Sequence, residues 1–370
     1  MDETVHFLKK LIEIDTTNPP GNENKVAEFI ENHALDSNLQ IQKTPLLENR
    51  SNLLLEWGEG KEVDLLLSAH MDTVQTGSLD MWDTPPFDGE IINGNMYGRG
   101  TADMKSGLAA MYLALLQVLE EVQHTDKKIA LALTTGEEVD CLGAKKLLGD
   151  LNWSLVKRIM IGEPTNNEIA VGHKGALWIK VESFGKTSHG SMPEHGINAI
   201  DRLHSALRDI YKTLEERKKV HDILGASTYS LNQMAGGNQP NVVPDYCEAV
   251  IDIRTVPPED HETLFKALQT QVEEWKGVTL TVLLDRPPVF TPTDNEFVQD
   301  ICNWTDSTNT RTVPYYTDGS VFNQDSRIPM IMFGPGLVEM AHQPNEFVSI
   351  DAYLQSINYY KNIIMQILDK

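Results

Sequence analysis

Apolar positions in the first half of the chain follow two alternating patterns. Val5, Leu8, Leu11 and Ile12 recur at helical spacing, and Leu108, Met111, Tyr112, Leu115, Leu119 and Val122 mark one face of a longer helix. Between and after them come unbroken apolar runs, DLLLSAH, KKIALALTT and RIMIGEPT, each of strand length and each ending in polar residues. A strand buried on both faces reads as such a run, whereas a half-exposed strand alternates. Strand–helix–strand succession with continuous apolar strands predicts an α/β protein built on a mostly parallel sheet with helices on both faces.

The pattern changes near Lys174. In ALWIKVESF, Leu177, Ile179 and Val181 alternate with Trp178, Lys180 and Glu182, the period-2 signature of a half-exposed strand. A helix follows with Ile200, Leu203, Leu207, Ile210 and Leu214 on one side. Then come a strand from Thr228 to Met234, another in YCEAVIDIR, a helix from Leu264 to Trp275 and a strand in VTLTVLLD. The order βαββαβ is the split ferredoxin-like unit. It predicts an inserted domain at 174–285, the first domain being made of 1–173 and 286–370. After the Pro-rich step from Arg286 to Pro292, PMIMF predicts a strand and Ile350 to Leu368 a long final helix. A length of 370 residues agrees with two domains at ~150 residues each.

Charge narrows the partners. Lys+Arg is 31 and Asp+Glu 54, a net charge of −23, which argues against a protein that grips phosphate backbones; no nucleic-acid partner is expected. An acidic excess serves solubility, and part of it can hold cations. The three cysteines, Cys141, Cys247 and Cys302, form neither a disulfide framework nor a C-x-x-C pair, so a reducing cytoplasm is the expected compartment. The N-terminal MDETVHFLKK lacks the basic start of a signal peptide. The apolar stretch Leu108–Leu119 is too short for a bilayer and contains Gln117, so no membrane partner is expected.

Acids and histidines gather at predicted strand ends. His70 and Asp72 end DLLLSAHMD, Glu137 and Glu138 end KIALALTTGEE, and Glu163 ends RIMIGE. Open parallel sheets form sites beyond the carboxyl ends of their strands. Asp103 sits in YGRGTADMKSG just before a helix, and His342 follows PMIMF. Each has a plainer reading: a strand-end histidine held by hydrogen bonds, a solvated Glu-Glu loop, an Asp that caps a helix. The glycine-rich loop is no Walker motif, because Arg99 and Met104 stand where glycines are required. Together, however, His, Asp, Glu, Glu and His make a nitrogen and oxygen ligand set that suits Zn²⁺, Co²⁺ or Mn²⁺.

The segments SAHMDTV, GRGTADMKSG, TTGEEVDCLGAK, IGEPT, GGNQPNVVPDYCEAVIDIR and GPGLVEMAHQPNEFVSID, in this order, resemble the dinuclear-zinc exopeptidase and deacylase family. That family includes carboxypeptidase G, aminoacylase, acetylornithine deacetylase and succinyl-diaminopimelate desuccinylase. The resemblance covers essentially the whole chain. It implies a zinc-exopeptidase catalytic domain with a lid and dimerisation domain at 174–285, and a homodimer formed through that lid. It implies two divalent metal ions per subunit, Zn²⁺ first, with Co²⁺ or Mn²⁺ as alternatives: His70, Asp103 and Glu163 on one, Asp103, Glu138 and His342 on the other, with Asp103 bridging. It implies Glu137 as general base, Asp72 as the acceptor that orients His70, a cis peptide after Asp103, and His189 as the oxyanion donor carried to the partner's site. Asn241 and Arg254 match its substrate-binding pair, and Gly334 and Gly336 would let backbone approach substrate closely. Arg254 also has a plainer reading as a surface ion pair.

The implied reaction is hydrolysis of the amide of a small carboxylate-bearing N-acyl amino acid, of the deacetylase or desuccinylase type, by a metal-bridged hydroxide. A dipeptidase or carboxypeptidase acting on small peptides is the alternative, and a non-catalytic metal-binding homologue a remote one. The desuccinylase branch carries a TGGTSDGR-like segment where this chain has PYYTDGSVFNQDSRIP, and the tail stands closer to acetylornithine deacetylase.

Overall fold

Three mostly apolar runs form strands covered on both faces: every residue of Leu65–His70, Ile129–Thr134 and Ile159–Ile161 is buried. A computed structural model describes residues 2–322 and 327–370. It divides the chain into two units, Met1–Gly172 with Phe290–Val313 and Thr317–Lys370, and His173–Val289 with Pro314–Tyr316.

Among the described residues, the first unit holds a nine-stranded sheet. Its centre is parallel: Leu65–His70 lies between Ile129–Thr134 and Ile159–Ile161, and Met330–Met332 adds beside Ile159–Ile161 in the same sense. The flanks are antiparallel. Arg50–Trp57 pairs with Ile129–Thr134 and with Gln40–Leu47, while Met330–Met332 meets Ile169–His173. The sheet is therefore parallel where the site is built and antiparallel outside it.

Helix Glu3–Ile12 starts where the Asp2 carboxylate accepts the Thr4 N–H at 2.8 Å, and it buries Val5, Phe7, Leu8, Leu11 and Ile12. Helix Ser106–Glu121 buries Leu108, Met111, Tyr112, Leu115 and Val118. The final helix, Ile350–Asp369, is capped by Ser349 and buries Tyr353, Ile357, Tyr360, Ile363, Ile364 and Ile367. A small sheet of Glu90–Ile92, Asn95–Tyr97 and Phe347–Ser349 ties the chain after His342 to the strand before the Asp103 loop.

The second unit has the βαββαβ order. Its antiparallel sheet runs Thr228–Gly236, Tyr246–Thr255, Gly175–Phe184, Val278–Arg286. Helices Ala199–Glu216 and His261–Val272 share a buried core with Ile179, Val181, Leu203, Ile210, Ile251 and Leu268. Alternating burial along Gly175–Phe184 and Tyr246–Thr255 matches the period-2 pattern. Among the described residues no helix is long and apolar enough to cross a membrane.

Candidate metal centre

Because the central strands are parallel, the residues that follow them emerge at one edge of the sheet. His70 ends Leu65–His70, and its Nε2 lies 3.1 Å from Oδ1 of Asp103. His342 comes after Met330–Met332 in left-handed backbone (φ 65°). Its Nε2 lies 3.4 Å from Oδ2 of Asp103 and 3.1 Å from Oε2 of Glu138. The two oxygens of Asp103 are thus divided between a histidine at a strand end and one in the loop that follows another strand. His70, Asp103 and Glu138 bring ligand atoms within 4.8 Å of one another. Glu163 is buried just past Ile159–Ile161, and its carboxyl feels the charges of Asp103, His70 and Glu138. Asp103 is no helix cap: Lys105 stands at the N-cap of Ser106–Glu121, which has no side-chain cap. Backbone at Asp103 and Met104 is non-helical, and the peptide between them is cis.

Two buried carboxylates hold this edge in shape. Asp72 was expected to accept the second N–H of His70 through its side chain. Instead, the backbone oxygen of Asp72 lies 2.9 Å from His70 Nδ1, and its carboxylate is 3.7 Å away. That carboxylate accepts the backbone N–H groups of Gly136, Glu137 and Glu138 at 3.0, 3.1 and 3.3 Å, and Asn18 Nδ2 at 2.8 Å. Backbone donors converging from the Glu137 loop outcompete a single imidazole, so Asp72 shapes the loop that presents Glu137 and Glu138. The second carboxylate, Glu346, carried no expected role. It accepts Arg99 Nη1 at 2.6 Å and the N–H groups of Gly100, Ala102 and Asp103 at 3.0, 2.8 and 3.0 Å. It therefore anchors the loop that carries the shared carboxylate. An acid four residues after a candidate ligand histidine was the only signal in the sequence.

Gly334 and Gly336 also serve a different neighbour from the one expected. A Cβ on Gly334 would lie 2.5 Å from Gly162 O and 2.6 Å from Glu163 O, and one on Gly336 would lie 2.2 Å from Ala102 O. What approaches these buried glycines is the chain's own backbone, in the segments bearing Glu163 and Asp103.

In the second unit, His189 and Asn241 are exposed neighbours: His189 bridges to Val242, and Gly190 N–H donates to Asn241 O at 2.7 Å. His189 Nδ1 accepts the Ser191 N–H at 3.2 Å and lies 2.7 Å from the Ser191 hydroxyl. An Nδ1 that accepts leaves the ring proton on Nε2. Arg254 does not present an open fork. Nε and Nη2 already meet Asp252 Oδ1 and Oδ2 at 2.9 and 3.0 Å, an in-strand pair two residues apart.

The electrostatics of the edge call for cations. Burial pushes the carboxyls of Glu137 and Glu163 well above the ordinary range, and burial together with Asp103 pushes Glu138 up to about 7. Hydrogen bonds to Asp103 and Glu138 push His342 up to about 10. Burial opposes a charged His70, yet the Asp103 bond and neighbouring carboxylates hold it well above the usual imidazole value. Burial works to raise Asp103 as well, but both histidines overcome it and hold that carboxyl low. Among the described residues, Oε1 of Glu137 and Oε1 of Glu138 are buried without a hydrogen-bond donor. Unpaired buried anionic oxygens cost several kcal/mol unless a proton or metal takes them. The donor set of imidazole nitrogens and carboxylate oxygens fits Zn²⁺, Co²⁺ or Mn²⁺.

Residues 66–366 match the model of peptidase family M20/M25/M40. The chain belongs to that family. As a family member it is a metallohydrolase that acts on amide bonds. A probable succinyl-diaminopimelate desuccinylase of Staphylococcus epidermidis is 32% identical, over 100% of this chain and 98% of that protein. Among solved structures, an M20 family metallo-carboxypeptidase of Sulfolobus solfataricus superimposes with TM-score 0.79 at 18% identity over all of both chains. A Bacillus subtilis protein described as a dinuclear metal binding peptidase of the M20 family does so with TM-score 0.72 at 16% identity, over 99% of this chain and 98% of that one. At these identities the structures share the α/β fold with its central, mostly parallel sheet.

Proposed function

We propose that this family member hydrolyses the amide of a small N-acyl amino acid bearing a free carboxylate, at a centre for two divalent cations. The observation that carries the reading is the division of the Asp103 oxygens between His70 and His342. His70, Asp103 and Glu163 would hold one ion, and Asp103, Glu138 and His342 the other. When bound there, the pair of cations would polarise the substrate carbonyl and bring the pKa of water down to ~7.

The chain's own groups supply the rest. Glu137 adjoins the ligand Glu138, is buried, and has an oxygen that meets no donor among the described residues; it accepts the proton of the attacking water and returns it to the leaving nitrogen. Asp72 holds the Glu137 loop, and Glu346 holds the Asp103 loop. His189 offers Nε2–H as the donor for the oxyanion, supplied across a homodimer formed through the second unit. That pairing is supported by the edge strand Thr228–Gly236, which is exposed along nearly its whole length and shows Leu231 and Met234 to solvent. Asn241 beside His189 contacts the substrate. Arg254 takes its carboxylate after giving up Asp252.

The desuccinylase named among the relatives favours an acyl group that itself ends in a carboxylate. The test is a panel of N-succinyl and N-acetyl diamino acids, simple dipeptides and carboxylate-amidated analogues, assayed with Zn²⁺, Co²⁺ and Mn²⁺ added to chelated protein. The reading predicts turnover of N-acyl substrates, N-succinyl first, and loss of turnover on amidation. Preference for dipeptides would overturn the substrate assignment.

A further inference from the structure

Beside Glu137 lies a second group of metal-capable side chains that the reaction above does not use as ligands. Sγ of Cys141 and one carboxylate oxygen each of Glu137 and Asp318 lie within 4.8 Å of one another, and all three residues are buried. Asp318 Oδ2 accepts the Thr134 hydroxyl at 2.6 Å. Apart from the Cys141 thiol, which bonds the Asp318 carboxylate and lies 3.7 Å from Glu137 O, Asp318 Oδ1 and Glu137 Oε1 meet no hydrogen-bond donor among the described residues, although Asp318 is 2% and Glu137 7% exposed. Neighbouring buried carboxylates with unmet oxygens are costly unless a positive charge is shared between them. The thiol decides which charge the group would favour. The first centre offers only nitrogen and oxygen, whereas this one offers sulfur and two oxygens, a set that selects thiophilic divalent ions over Mg²⁺ or Mn²⁺. Bond lengths of ~2.0–2.3 Å put the ligand atoms of a tetrahedral ion roughly 3.5 Å apart, so a modest closing of the group suffices and water completes the fourth position.

We propose that Glu137, Cys141 and Asp318 form an inhibitory cation site, which takes a third ion such as Zn²⁺ when that ion is in excess. The Cys141 thiol gives its proton to solvent as the S–metal bond forms. The Glu137 carboxylate is tied to the ion and no longer takes a proton from water. This loss of activity rests on the reading of Glu137 as general base; the binding of the ion does not.

Protein carrying two equivalents of Zn²⁺ is titrated with more Zn²⁺ and, separately, with Mn²⁺. Bound ion is counted by equilibrium dialysis, and turnover is measured on the same samples. A third Zn²⁺ equivalent should bind and turnover should fall with it, while excess Mn²⁺ leaves turnover unchanged. With Co²⁺, the third equivalent should bring a thiolate charge-transfer absorption, which the first two lack. Cys141→Ala should abolish that band and the third equivalent, raise the half-inhibitory Zn²⁺ concentration on the order of 10–100-fold, and keep the uninhibited turnover. Asp318→Asn should raise the half-inhibitory concentration in the same direction. Saturation at two equivalents, or an unchanged inhibition midpoint in Cys141→Ala, overturns the site. A third ion with its thiolate band but undiminished turnover overturns the inhibitory role and counts against Glu137 as base.

Discussion

Replacing Glu346 by Gln removes one negative charge from the point that anchors the Asp103 loop. The carboxylate takes four donors, Arg99 Nη1 and the N–H groups of Gly100, Ala102 and Asp103, at 2.6 to 3.0 Å and without exposure to water. Bonds to a charged group contribute about 1.5–3 kcal/mol each. Gln keeps one acceptor oxygen for Ala102 and Asp103, but its amide then confronts Gly100 N–H and Arg99, donor against donor. Stranding a buried charge by removing its partner costs about 3–5 kcal/mol, and Gln should fall near the lower end. If ~1.4 kcal/mol of that is expressed as displacement of Asp103, cation affinity drops about tenfold. Affinity is read by competition with a chromophoric chelator and stability by thermal unfolding of the chelated protein. Glu346→Gln should weaken both cations by roughly 10–100-fold, as loss of a partner behind a metal ligand does. Glu346→Asp, which keeps the charge, should fall between. A Glu346→Gln protein that melts earlier yet binds both cations with unchanged affinity would reduce Glu346 to a structural ion pair.

Three further expectations test other parts of the site. Glu137→Gln should retain both cations and lose turnover on the order of 10²–10⁴-fold; wild-type turnover would remove it as general base. Gly336→Ala drives a Cβ to 2.2 Å from the Ala102 carbonyl and should cost stability, about 1–3 kcal/mol or more, and cation affinity. Gly149→Ala, which meets nothing within 4 Å, serves as a neutral control in the melting assay. In chelated protein, Glu138 holds its proton up to about 7 and His342 up to about 10, above their ordinary values of 4.5 and 6.5. The folded form therefore binds more protons than the unfolded chain between pH 6.5 and 8, and its stability falls as pH rises. Cation binding expels those protons, so the gap in melting temperature between loaded and chelated protein should widen from pH 6.5 to 8; a gap that narrows contradicts the ligand set.

Much of the candidate metal centre is legible in the sequence because the residues that carry it follow buried strands. DLLLSAH, KKIALALTT and RIMIGEPT each carry an apolar stretch, Leu65–Leu67, Ile129–Leu133 and Ile159–Ile161, so His70, Glu137, Glu138 and Glu163 stand out beyond their ends. The antiparallel flank is not visible in this way. Gln40–Leu47 is an edge strand of mixed polarity, and Arg50–Trp57 opens on a buried Arg, Ser and Asn, which reads as a loop. Glu346 and the actual work of Asp72 are hidden for a related reason. Both act on backbone N–H groups, and every residue but proline has one, so the side-chain pattern carries no trace of the partner. The opposite error concerns Gly334 and Gly336, where a need for close approach is legible but the approaching group is not. Of the segment set against the desuccinylase pattern, residues 323–326 lie outside the described residues, while Asp318 within it proves to face Glu137 and Cys141.

Counting metal ions in Asp103→Ala tests the shared carboxylate most directly. Wild-type and variant protein are dialysed against the same low concentration of Zn²⁺, and bound ion per chain is determined by mass spectrometry. The account predicts two ions on the wild type and loss of both from the variant, since one side chain serves each half of the centre. Two tightly bound ions remaining on Asp103→Ala would contradict it.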